Sequence, residues 1–121
     1  MPFSEFASDS LIASLPSTLW AQLHTSNPGS VGTSNISTTS TRHSFTLTSP
    51  SSGMAENTAD IQWPSFSTSG GSETLTHISV WDASTGGDCW FIHNFGSRLV
   101  LEGELVEIAA GALRILLPHW S

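Results

Sequence analysis

Apolar residues along this chain come in short alternating runs bounded by Pro, Gly, Asn and Ser, with one exception near the start. The exception is Ser8–Leu15. There Leu11, Ile12 and Leu15 share one face of a helical turn or two, Ser8 or Asp9 can cap it, and Pro16 stops it. Leu19–Thr25 reads as a first strand, closed by the Asn27-Pro28-Gly29 turn. His43–Thr48 alternates, with Phe45 and Leu47 on one side and Thr46 and Thr48 on the other, the pattern of a half-buried strand. Ala59, Ile61 and Trp63 alternate with Asp60 and Gln62 until Pro64 ends the run. Leu75–Asp82 and Cys89–Phe95 flank Ala83–Asp88, a hairpin signal because Gly86 and Gly87 accept positive φ at no steric cost. Leu105–Ala109 and Ala112–Leu117 follow, linked through Ala110-Gly111, and Pro118 closes the second. Roughly seven short strands with turn chemistry between them predict an all-β fold. The expected form is a single antiparallel β-sandwich, jelly-roll or immunoglobulin-like, with a short N-terminal helical segment.

Along the chain, residues 1–7 form an expected arm, 8–118 the β-sandwich domain and 119–121 a C-terminal tail. Between the first two strands, Ser26–Thr41 is a long loop of Ser, Thr, Gly and Asn. Ordered loops of this length are uncommon in compact domains, so it is either functional or pinned by a neighbour. Ser65–Ser72 is a second polar loop, with Gly70-Gly71 at its tip.

Composition narrows the function. Only 11% of the 121 residues are charged, against about 25% in an average domain. The chain has no Lys, and Arg42, Arg98 and Arg114 are its only fixed positive charges. Ser and Thr number 35. A net charge of −7 without a basic cluster argues against nucleic acid and against anionic membranes. The one cysteine, Cys89, rules out an intrachain disulfide. No run is long enough for a transmembrane helix, and the start lacks the pattern of a signal peptide, so the expected compartment is cytosol-like until assembly.

Candidate chemistry is sparse. His and Cys do not recur at the spacing of a structural zinc site, although His77 and His93 could face each other across the hairpin. The strained Gly-x-Ser-x-Gly elbow is absent. Cys89 reads as a buried structural thiol, with no nearby Lys or Arg to lower its pKa. Glu102, Glu104 and Glu107 could supply a glycosidase pair, but a solvated strand edge explains them better. No catalytic residue, cofactor or metal is expected, and the protein is not read as an enzyme. Phe45, Trp63, Trp81 and Phe91 sit where core packing accounts for them. Phe3, Phe6 and Trp120 lie near the two ends, where folding back and contact with a partner explain them equally well.

The order of segments resembles a family of small phage virion proteins, usually labelled tail fibre or head decoration proteins. Its short amphipathic opening is similar to Ser10-Leu11-Ile12-Ala13-Ser14-Leu15. A strand running into Asn-Pro and a Gly/Thr-rich loop matches Leu19 through Asn27-Pro28. A Ser-Asn-Thr-Ala block with a strand ending in Pro resembles Glu56-Asn57-Thr58-Ala59-Asp60-Ile61-Gln62-Trp63-Pro64. The most specific match is Thr76-His77-Ile78-Ser79-Val80-Trp81-Asp82-Ala83-Ser84-Thr85-Gly86-Gly87. The ending resembles Gly103-Glu104 through Ala109-Ala110-Gly111-Ala112-Leu113 to Leu117. Ser26–Thr41 and His119–Ser121 depart from the family pattern, and both lie where partner contacts would be private to one phage.

The resemblance implies a structural protein of the virion surface, made in the host cytoplasm. A short lone domain without coiled coil or repeat stalk is a poor fibre by itself. The favoured expectation is therefore a capsid decoration (minor capsid) protein that binds and stabilises the major capsid lattice as a homo-trimer. The alternative is a tail fibre or minor tail module that contacts the host surface. A small hydrolase with a scattered site is the third class. Expected partners are the major capsid protein or tail proteins. Phe3, Phe6 and Trp120 are the expected anchors, with Ser26–Thr41 as the polar rim.

Overall fold

A computed structural model of the protein describes residues 4–68 and 70–116. One helix, α1 (Glu5–Ala13), precedes eight strands: β1 (Leu19–His24), β2 (His43–Phe45), β3 (Met54–Glu56), β4 (Ile61–Trp63), β5 (Ser72–Trp81), β6 (Cys89–Leu101), β7 (Val106–Ile108) and β8 (Arg114–Leu116). The strands form a four-stranded sheet in the order β2-β1-β5-β6 and two pairs, β3-β8 and β4-β7. The β1–β5, β5–β6 and β3–β8 ladders are antiparallel. The all-β antiparallel class expected from the alternating pattern is what the chain adopts.

The helix begins earlier than its apolar pattern implies. Ser4 is the cap, its Oγ accepting the Ala7 N–H at 3.1 Å. Ser8 therefore lies inside the helix and is buried, and the Asp9 carboxylate accepts the Gly53 N–H at 2.7 Å. Ile12 is buried while Leu11 is exposed, so the expected apolar face is only half used.

The described residues fall into two compact units, one drawn from residues 4–18, 45–61 and 108–116, the other from residues 19–44, 62–68 and 70–107. In the first, Ile12, Phe45, Ala55, Ile61, Leu113 and Ile115 are buried. Asn57 organises the connections around them. It is 1% exposed, and every polar group it carries is used. Its N–H donates to Leu113 O at 3.1 Å and its carbonyl accepts from Gly111 N–H at 3.0 Å. The amide Nδ2 donates to Ala59 O and Ala109 O, and Oδ1 accepts the Leu113 N–H at 3.0 Å. A side chain that satisfies the 109–113 backbone in this way shapes the Ala110-Gly111 link between the last two strands, which pair with other strands and not with each other. β7 pairs with β4, and β8 pairs with β3. Glu56 and Arg114 meet at 3.3 Å across β3–β8, a surface pair of the kind that contributes little.

In the second unit the sheet register sorts residues onto two faces. Ala21 and Leu23 oppose Val80 and Ile78, all buried, on one face. Trp20, Gln22 and His24 oppose Trp81, Ser79 and His77 on the other. β5 and β6 are joined at Ala83–Asp88, where Gly86 and Gly87 have φ of 62° and 72°. A Cβ on Gly87 would lie 2.9 Å from Ala83 Cβ and closer still to the Asp82 carboxylate, whereas one on Gly86 would meet nothing within 4 Å. Gly87 is thus the stricter requirement. β6 continues well past Phe95, through a bulge of Phe95–Ser97 opposite Thr76.

Candidate functional site

The second face of the sheet is covered by the chain's own polar loop. Asn27 starts it: Oδ1 accepts the Gly29 N–H at 2.9 Å and its carbonyl accepts from Asn35 Nδ2 at 2.9 Å. The chain then turns through Gly32, whose N–H donates to Gly29 O, and Ser34, whose N–H donates to Pro28 O. Backbone bonds tie the returning arm to β1, with Thr25 N–H donating to Asn35 O and Ser37 N–H to Leu23 O, each at 3.0 Å.

Side chains from the sheet complete the attachment. The Glu73 carboxylate accepts the Thr38 Oγ1–H at 2.7 Å, the Thr38 N–H and a short bond from Ser37 Oγ. Gln22 Nε2 donates to Ser40 O, and Trp63 Nε1 donates to Thr41 O, each at 2.9 Å. Gly32 sits against Cys89 and Trp81. A Cβ there would come within 2.7 Å of Cys89 Sγ and 3.0 Å of the Trp81 ring, at a φ of 75°. Only glycine fits both the space and the left-handed backbone.

His24 is the buried centre of this attachment. Its Nδ1 is 3.0 Å from Ser34 O, and a carbonyl can only accept, so Nδ1 carries the proton. Nε2 then accepts from Ser79 Oγ at 2.7 Å, and Ser79 Oγ in turn accepts the Trp81 Nε1–H at 2.7 Å. Each member of the chain Trp81–Ser79–His24–Ser34 is satisfied with His24 neutral. Burial holds its pKa below the usual 6.5, and the Arg42 guanidinium acts in the same direction.

The hairpin turn is held from the same side. Arg42 stacks on Trp81, with Cζ 3.9 Å from the ring centroid, and its Nη1 donates to Ala83 O at 2.9 Å and Gly86 O at 2.7 Å. Asp82 closes the turn with Oδ1 on the Asp88 N–H and Oδ2 on the Trp90 indole N–H, bonds that lower its pKa. The Arg42 positions were invisible to spacing, because Arg42 and Trp81 meet only once the loop is laid on the sheet. Arg42 also acts on Cys89, against the expectation that no cation lies near it. Desolvation of the half-buried thiol still raises its pKa, and the thiol donates to Phe91 O at 3.5 Å.

The remaining candidates separate. His77 opposes Asn94, and Ile78 opposes His93, so the two imidazoles lie on opposite faces and do not meet as a metal pair. Among the described residues there is no group of three His, Cys, Asp or Glu side chains that could hold a metal. Glu102 accepts from Thr68 N–H and Oγ1, and Glu107 accepts from Gln62 Nε2 at 2.8 Å, so the expected acidic cluster is divided between different partners. Phe45, Trp63 and Trp81 are buried as expected, and Phe91 is half-buried. Phe6 projects from α1 with 81% of its surface exposed, and Phe3 and Trp120 lie outside the described residues. No helix among the described residues is long and apolar enough to cross a membrane.

The second surface feature is β6. Trp90, Ile92, Phe95, Leu99 and Leu101 are all exposed along one strand. Chemically these features are a held polar relief and an uncovered apolar edge.

No curated protein matches the chain. The model of a protein family described as podophage GP4 fiber I protein gp80 matches residues 8–116. That span takes in the loop, the Arg42-held hairpin and the Asn57 junction together. The chain belongs to the podophage GP4 fiber I protein gp80 family, a family of phage virion structural proteins.

Proposed function

We propose that this protein is a building block of a fibre-type appendage of the phage particle and that it presents the Asn27–Thr41 surface outward, toward the host. The observation that carries the reading is the family match over residues 8–116, whose description names a fiber protein. It shifts the weight from the capsid decoration role, which rested on the shortness of the chain, to the tail-fibre alternative. The loop supports the same role. A recognition surface works best when its ordering cost is met before binding, and this loop is tied down by Glu73, His24, Gln22 and Trp63 of its own unit. Val31, 64% exposed at its tip, and Ile36, 41% exposed, supply apolar contact within the polar relief.

The test is to locate the protein on the particle. Gold-labelled antibody against it should decorate the tail region, at a copy number far below that of the major capsid protein. Labelling spread over the head at lattice stoichiometry would restore the decoration role. A Val31→Asp phage should assemble normally yet adsorb to its host more slowly.

A further inference from the structure

We propose that a hollow beside the end of the Asn27–Thr41 loop binds one neutral sugar ring. It is lined by Thr39, Thr41, His43, Trp63, Pro64 and Ser65 and holds about 190 Å³. Thr39, Thr41 and His43 are alternate residues, and an extended chain turns such residues to one side. Arg42, between them, goes the other way onto Trp81. The opposite wall is the exit of β4, where Pro64 stops the strand at Trp63. The two walls are fastened together. Trp63 Nε1 donates to Thr41 O at 2.9 Å, Ser67 N–H to Thr39 Oγ1 at 2.7 Å, and Thr39 Oγ1 to Ser67 O at 2.8 Å. Phe66, buried, donates its N–H to Glu104 O at 3.0 Å. A hollow held in this way needs little ordering when a ligand enters.

The unused groups of the hollow set the ligand chemistry. Thr39 Oγ1 and Trp63 Nε1 are occupied within the walls. Thr41 Oγ1, Ser65 Oγ and both His43 nitrogens have no hydrogen-bond partner among the described residues. Thr41 and Ser65 are exposed, and His43 is half-buried with its nitrogens open to solvent. The His43 ring is set edge-on to Trp63, centroids 5.2 Å and planes 79° apart. Burial lowers its pKa, so at neutral pH it is an uncharged imidazole with one nitrogen donating and the other accepting. Each hydroxyl can also do both.

Other ligand classes fit less well. No carboxylate, Lys or Arg lines the hollow, so a charged ligand would lose its water with no counter-charge in return. An apolar ring would strand the hydroxyls and the imidazole without partners. A flat nucleobase finds no ring face to lie on, because Trp63 is 1% exposed. The volume is below the ~300–1,000 Å³ of a drug-sized site, which leaves room for one small ring. A sugar ring meets each condition: its hydroxyls pair with Thr41, His43 and Ser65, and its C–H face lies against Pro64. That a host surface supplies the sugar rests on the fibre reading above; the binding itself does not.

NMR titration of the isotope-labelled protein tests this. The probes are the methyl glycosides of glucose, galactose, mannose and N-acetylglucosamine at millimolar concentration. At least one should move the Trp63 indole N–H and Thr41 amide signals together and saturably. Thr41→Val and Ser65→Ala each remove one hydroxyl at an exposed position and should weaken that binding about three- to tenfold. His43→Phe keeps a ring against Trp63 but removes both nitrogens, and should weaken it further. Ethylene glycol, which has hydroxyls and no ring, should move neither signal. The proposal is overturned if none of the four glycosides saturates, if ethylene glycol shifts the same signals equally, or if the variants bind like wild type. If His43→Phe fails to fold, the two exposed variants decide. Sugar binding is read on the purified protein, so a head location would remove the fibre reading and leave the site standing.

Discussion

The Asn27–Thr41 loop and the β6 strand invert the usual distribution of polar and apolar residues. The loop is made of Ser, Thr, Asn and Gly, yet it is tied to the sheet at nearly every turn. β6 is rich in Trp, Phe, Ile and Leu, yet most of it faces solvent. Burial propensity therefore predicts neither segment. What fixes the loop is a set of receptors on β1 and β5 (Gln22, His24 and Glu73) that bond its backbone and hydroxyl groups. What leaves β6 open is its position at the end of the sheet order.

Five measurements bear on this contrast. Trp81→Ala should be the most damaging, costing about 3–5 kcal/mol, because it removes a core ring on which Gly32, Ser79 and Arg42 all rest. A melting temperature within a few degrees of wild type would refute that role. Gly32→Val should cost about 3 kcal/mol, from the left-handed backbone and the collision with Cys89 and Trp81. Denaturant unfolding reads it, and a neutral result would mean the loop does not seat on the sheet. Glu73→Ala should cost about 1–2 kcal/mol and speed amide exchange at Thr38, leaving β6 amides unchanged. Equal acceleration in both places would deny the loop its separate anchor.

Acid should loosen the loop more gently. His24 is neutral when folded with its pKa held below 6.5, so the unfolded chain binds the extra proton. The stability this provides is complete above 6.5 and is lost as pH falls from there through the folded-state pKa. His43, also lowered by burial, acts with the same sign. Melting temperature should drop between pH 8 and pH 5, and Ser34-side amides should exchange first. A flat profile would contradict a neutral buried His24. Smallest of all, Ile92→Lys on the free edge should change stability by no more than about 0.5 kcal/mol. A larger loss on thermal melting would show that Ile92 is core after all.

Local pattern made part of this legible. β1, β4 and the start of the β5–β6 hairpin follow alternation and turn residues, which act over a few positions. The loop boundaries follow composition. The rest depends on partners distant in sequence. Met54–Glu56 carries no alternation, and it is a strand only because Arg114–Leu116 lies beside it. The end of β6 was hidden by Asn94-Phe95-Gly96-Ser97, a turn-like string that the structure uses as a bulge. The link through Ala110-Gly111 is held by the Asn57 amide, whose bonds no spacing rule encodes. Ser4 took the helix cap, and Ser8 lies buried within the helix. For the candidate surface, the sequence marked Ser26–Thr41 as notable, but its receptors and Arg42 became visible only in three dimensions.

The three arginines have a consequence for survival outside the cell. A trypsin-like protease cleaves after Lys or Arg, and this chain offers it only Arg42, Arg98 and Arg114. The Arg42 guanidinium lies on Trp81 and is bonded to two turn carbonyls, immediately before β2. Arg98 is inside β6, and Arg114 opens β8. Every bond such an enzyme can cut must first leave a ladder or a stacked ring to enter its cleft. Digestion of the native protein is therefore governed by how often these elements open rather than by how many sites they contain.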